Sequence, residues 1–235
     1  MIDLSFLTLL GLGFMLGLRH ALDIDHVAAV STVVARRPSF KASSLIGFSW
    51  GIGHTVILLL SGLLVLWFRV PVPGWLTWAA EGAVGMMLVV LGTLLALKLV
   101  EGRWHIHRHA HEGTEHIHLH SHAVQYGHGH SHWLRDSVRP LCIGMAHGLS
   151  GSAALLLLVV SSAHSTVEGM VYIAVFGVGS ILGMILVGLA LSLPVIWSFR
   201  ISPPALFAVQ GAASLGSVVL GLSLIYKTIM GSSIV

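Results

Sequence analysis

The sequence predicts an all-α integral membrane protein of about six transmembrane helices, arranged as two inverted three-helix repeats, with the first helix broken. Three observations predict this class. Of 235 residues, 55% are hydrophobic and only 9% charged, with a mean hydropathy of +0.90; a soluble domain carries about 25% charged residues. Apolar runs fall near 4–35, 45–67, 75–97, 140–163, 170–197 and 205–230, each long enough for the ~20 residues that a spanning helix needs. The third observation is an internal repeat.

Gly17-Leu-Arg-His20-Ala-Leu aligns with Gly144-Met-Ala-His147-Gly-Leu, 127 positions later. The stretch from Glu81 to Gly92 aligns with Gln210 to Gly221 at 129, and Phe48-Ser-Trp-Gly51 with Phe176-Gly-Val-Gly179 at 128. The matches keep one order and nearly one offset. Residues 1–97 therefore form the first repeat, 139–235 the second, and 98–138 a polar loop between them. With three spans each, the second copy enters the bilayer from the opposite face. Transporters use this pseudo-two-fold, with the site at the repeat interface on discontinuous helices.

Orientation follows from the basic residues. Arg36, Arg37, Lys41, Lys98, Arg103, Arg108, Arg135, Arg139 and Arg200 lie in or beside the connections on one side; Arg69 and Lys227 lie on the other. The positive-inside bias makes the first side cytoplasmic and puts both termini outside the plasma (cell inner) membrane. The first run has no basic flank before it and does not read as a cleaved signal peptide.

That first run is long for a single pass, two short passes being the alternative reading. Its centre holds Arg19, His20, Asp23, Asp25 and His26 in otherwise apolar sequence. Ionisable groups in a bilayer each cost several kcal/mol unless paired, wetted or ligating, so they mark a functional site. Two imidazoles and two carboxylates suit a borderline divalent transition metal. On an ideal helix His20, Asp23 and His26 share one arc while Asp25 points away, and the two histidines stand about 9 Å apart along the axis. A break near Leu22–Asp25 lets all four converge, and irregular backbone is tolerated at membrane depth where it lines a cavity. Arg19 is expected to pair with Asp23 four residues on and to support the site. The bland alternative is a self-satisfied polar network joining helices.

His54 opens the second span in a glycine-rich stretch, Gly47 to Thr55, and is a candidate further ligand. Glu81, early in the third span, suits a helix N-terminus. His147 occupies the repeat-equivalent position of His20 and is a candidate ligand or a structural polar contact. His164 reads as an exposed loop residue. The connecting loop holds His105, His107, His109, His111, His116, His118, His120, His122, His128, His130 and His132. Low-complexity sequence of this kind builds no core. Its imidazole density binds transition metals without fixed geometry, as a cytoplasmic buffer or sensor rather than as the permeation site.

Several chemistries are excluded. The single cysteine, Cys142, permits neither an intramolecular disulfide nor paired-thiol redox chemistry. No Walker A motif and no His-Glu-X-X-His is present. Gly148-Leu-Ser150-Gly151 mimics an intramembrane serine-protease motif, but no histidine base follows His164. The His-X-His spacing differs from the boxes of membrane di-iron hydroxylases. The expectation is a non-enzyme without a cofactor.

The His20-X4-Asp25-His26 stretch resembles the signature of the nickel/cobalt transporter (NiCoT) family. Phe48-Ser-Trp-Gly-Ile-Gly-His54-Thr-Val resembles its second block, and Gly144-Met-Ala-His147-Gly-Leu-Ser-Gly-Ser-Ala resembles its short six-span, urease-accessory or nickel-permease-like branch. The resemblance implies secondary transport of Ni2+ or Co2+, with His20, Asp25 and His26 essential; Asp23 lies outside the signature and is added from its position. The Leu-Gly-Phe-Asp-Thr-Ala-Thr-Glu block of longer members is absent. The cargo metal is the expected partner, with the lipid bilayer and cytoplasmic metallochaperones, and nucleic acid is not. Uptake is the expected direction. A histidine-rich loop also occurs in a related efflux branch, so efflux of nickel, cobalt or zinc is the alternative. A metal sensor would not require two pseudo-symmetric halves.

Overall fold

The computed structural model describes residues 4–68, 73–101, 105–111, 114–120, 133–150 and 165–231. Within them seven helices follow in order: α1 Leu4–His20, α2 Ile24–Val34, α3 Phe40–Phe68, α4 Gly74–Glu101, α5 Trp133–Ser150, α6 Thr166–Ile201 and α7 Pro203–Gly231. Four of them, α3, α4, α6 and α7, are long and apolar enough to cross a membrane. Leu7–His20 of α1 and Ile24–Val34 of α2 are together long and apolar enough to cross once, but they bend by 53° at their break. The predicted span 140–163 begins in α5 and runs into 151–164, which lie outside the described residues, as does His164.

Local chemistry explains the helix ends. Ser165 caps α6 by accepting from the Glu168 backbone N–H at 3.2 Å, and the first-turn Glu168 suits the positive end of the helix dipole. Pro140 lies inside α5 and Pro194 inside α6, and both helices continue through them; proline is tolerated in membrane helices where neighbouring groups satisfy the freed carbonyls.

The packing has a reciprocal pattern. α1 lies against α6 and α5 against α3; α3 and α6 pack together, and so do α4 and α7. Between helices in lipid there is little hydrophobic drive, so close approach and interhelical hydrogen bonds hold them. Gly17 faces the Phe176 carbonyl and Gly179 the Phe14 carbonyl, so α1 and α6 touch backbone to backbone. Gly53 against Leu141 and Gly144 against Trp50 do the same for α3 and α5. Ser214 and Ser217 donate to the Gly92 and Leu88 carbonyls at 2.8 and 2.9 Å, joining α7 to α4. Gln210 donates to the Ala35 carbonyl at 2.7 Å and ties the end of α2 to α7.

The core lies around α2: Ala29, Val30 and Val34 pack with Ile46, Trp50, Leu88 and Met184. At the α2–α3 turn, burial and then the neighbouring Arg139 charge hold the Arg36 guanidinium below its ordinary range.

The histidine-rich loop adds one element to the helical bundle. β1 His105–His111 pairs antiparallel with β2 Thr114–His120, setting His105 opposite His120, His107 opposite His118 and His109 opposite His116. The period-two His-X-His sequence matches the period of a strand, which is why a segment without a core takes this form. His122, His128, His130 and His132 lie outside the described residues.

Candidate metal centre

The helix breaks where the polar cluster sits. α1 closes in a tight turn, with Leu22 N–H on the Arg19 carbonyl at 2.8 Å and Asp23 N–H on the His20 carbonyl at 3.0 Å. Asp23 then extends (φ −59°, ψ 141°) and α2 starts at Ile24. This break brings the His20 and His26 rings to 4.6 Å, centroid to centroid, where a straight helix separates the two positions by about 9 Å.

Two further helices complete the cluster. His54, from α3, faces His20 with their Nε2 atoms 3.1 Å apart. Gly53 beside it lets α5 approach close enough for His147 to reach the same place. The Asp25 carboxylate is the node. Its Oδ1 accepts from the His26 backbone N–H at 2.9 Å and stands 3.1 Å from His26 Nδ1; its Oδ2 lies 2.8 Å from His147 Nε2. His26 and His147 rings are 4.0 Å apart. His26, His54 and His147 are buried, and the Asp25 side chain is about a quarter exposed.

Among the described residues, two groups of donors converge well enough for a metal ion: His20, His26 and His54, and Asp25, His26 and His147. Four imidazoles and one carboxylate are borderline nitrogen and hard oxygen donors, a set suited to Ni2+, Co2+ or Zn2+ and ill suited to the all-oxygen demands of Mg2+ or Ca2+. The donor set fits such an ion: His26 Nε2 and His54 Nδ1 are buried without a hydrogen-bond partner, and buried polar atoms are ordinarily satisfied.

The predicted residues thus separate. His20, Asp25, His26, His54 and His147 come together. Asp23 lies outside both groups: it is exposed, and its Oδ2 binds His20 Nδ1 at 2.8 Å. That contact leaves His20 Nε2 to face the cluster, the usual work of a carboxylate behind a ligating histidine. Arg19 does not form the expected pair with Asp23. An i,i+4 pair needs a continuous helix, and α1 ends at His20; Arg19 is exposed, with no ion pair to Asp23. Cys142 is free and exposed, and Glu81 is exposed.

Sequence reasoning missed two contacts. The Asp25–His147 bond spans 122 positions, and the signal for it was the repeat, which equates His147 with His20. Phe176 lies 5.5 Å from the His20 ring; it is the repeat mate of Phe48, the one available sign.

No protein-family model matches the chain, and no solved structure matches it significantly. It is 36% identical over 198 residues to the urease accessory protein UreH of Bacillus sp. (strain TB-90), a match covering 84% of this chain and 82% of that one.

Proposed function

Since this chain belongs to the family of the urease accessory protein UreH, we propose that it is a secondary transporter of Ni2+, with Co2+ as a second cargo. The urease accessory relative points to nickel handling. The observation that carries the reading is the convergence of His20, His26, His54, His147 and Asp25, from four helices, inside an apolar bundle. The carboxylate compensates part of the dication's charge at low dielectric, and the imidazoles select against Mg2+ and Ca2+. Asp23 orients His20 from outside.

In this reading the chain is no enzyme but spans the plasma membrane six times, as two inverted three-span repeats. The reciprocal pairing of α1 with α6 and α5 with α3, flanking α3–α6 and α4–α7, supports the pseudo-two-fold, because an axis between the repeats generates that pattern. The broken α1–α2 pair supports a site on a discontinuous helix. Arg36, Arg37 and Lys41 after the first span, with Arg135 and Arg139 before the fourth, support placing those two basic segments on the cytoplasmic side under the positive-inside bias. Both termini are then outside. The eleven-histidine loop faces the cytoplasm, where it buffers arriving metal and hands it to metallochaperones.

Direction is decided by elemental analysis of cells in trace nickel, wild type against the His20→Ala/His26→Ala double variant. Wild-type nickel above the variant means uptake, the expected outcome. Nickel below it means efflux, the alternative that the histidine-rich loop favours. Equal nickel, cobalt and zinc in both strains would defeat the transport reading altogether.

A further inference from the structure

The converging donors form two groups that share one member. His20, His26 and His54 bring donor atoms within 4.8 Å of one another, and so do Asp25, His26 and His147. Only His26 belongs to both. Its Nδ1 is turned to Asp25, 3.1 Å away, while its Nε2 is buried and unpartnered. The ring stands between the two sets: His147 lies 4.0 Å from it, His20 4.6 Å and His54 5.2 Å, centroid to centroid.

The groups differ in charge. The first offers only neutral nitrogen and includes His20, whose side chain is 16% exposed beside the open Asp23 carboxylate. The second adds the Asp25 carboxylate and the fully buried His147. One carboxylate balances a single dication poorly and two dications worse, so the groups suit one ion in turn.

Resting on the reading of this cluster as the ion-carrying site, we infer that it comprises two coordination positions sharing His26, between which a single divalent ion passes. At the first position the ion is held by His20, His54 and Nε2 of His26. At the second it is held by Asp25, His147 and Nδ1 of His26. A neutral imidazole keeps its one proton on the nitrogen that does not hold the ion. On passage the ion and that proton exchange nitrogens, and no electron or other atom is gained or lost.

The test is Ni2+ binding by the purified full chain in lipid nanodiscs, the eleven loop histidines changed to serine to silence that segment. Affinity is measured for His54→Ala and His147→Ala, each with and without Asp25→Asn, and X-ray absorption counts the imidazoles. Two positions predict one ion in the parent and in each single variant. Asp25→Asn then weakens binding at least about tenfold more in His54→Ala than in His147→Ala, because only the former ion rests on the carboxylate. Two imidazoles are expected on the ion in His54→Ala and three in His147→Ala. Equal Asp25→Asn factors in both backgrounds, with three imidazoles in each, would mean one mixed site and overturn the inference. So would two ions bound to the parent, or loss of the ion in either single variant that stays monodisperse. A parent chain that binds no Ni2+ would instead overturn the ion-site reading beneath it.

Discussion

Gly144→Ala places a methyl group where α5 meets α3, three residues from His147. A Cβ at Gly144 would lie inside contact distance of the Trp50 carbonyl oxygen and close to the Trp50 Cα. Both are backbone, so no side chain can swing aside. The helix pair has to open by roughly 1 Å, set against the ordinary 8–10 Å interaxial separation. Overpacking of this kind costs about 1–3 kcal/mol, which a bundle of long helices can absorb while remaining inserted. The metal centre cannot, because coordination distances hold to within about 0.2 Å. His147 rides on α5 and reaches Asp25 at 2.8 Å, and the displacement draws it off. The expected result is normal membrane abundance with cellular nickel moved to the level of cells carrying an inactive His26→Ala protein. Gly216→Ala is the control, since nothing stands within 4 Å of a Cβ there, and it should behave as wild type. Wild-type nickel content in Gly144→Ala cells, or a Gly216→Ala protein just as inactive, would refute the argument from helix separation.

His26→Ala should abolish transport outright, since that ring belongs to both donor groups; any residual nickel movement in loaded vesicles above empty-vector vesicles counts against it. Asp25→Asn should weaken Ni2+ binding by about ten- to a hundredfold, whereas Asp23→Asn, losing one exposed hydrogen bond worth roughly 1 kcal/mol, should cost only about fivefold; titration of both proteins in nanodiscs checks the order, and a reversed order would make Asp23 the ligand. Deleting 105–132 should leave the initial rate of nickel movement intact and change only accumulation at high external metal, as read by time courses with each strain. An initial rate that vanishes with the loop would place it on the permeation path.

The chain's membrane class, four of its long apolar helices and the position of its helix break were legible without a structure. They depend on local properties: run length, the cost of ionisable groups in lipid, and the mismatch between a straight helix and the spacing of His20, Asp25 and His26. The repeat also singled out His147, and the glycine-rich start of the second span His54, though the repeat could not decide whether His147 was a ligand or a structural contact. What only the tertiary structure decided is which donors meet. Asp23 and Asp25 are two residues apart and chemically alike, yet one is turned outward onto His20 and the other inward onto His26 and His147. That division depends on the direction of the chain after the 53° bend and on glycine contacts with α3 and α6, more than a hundred positions apart for α1–α6 and about ninety for α3–α5. Composition and periodicity carry no record of either. The same bend removed the helical register that would have joined Arg19 to Asp23, so a pairing sound for a continuous helix failed where the helix ends.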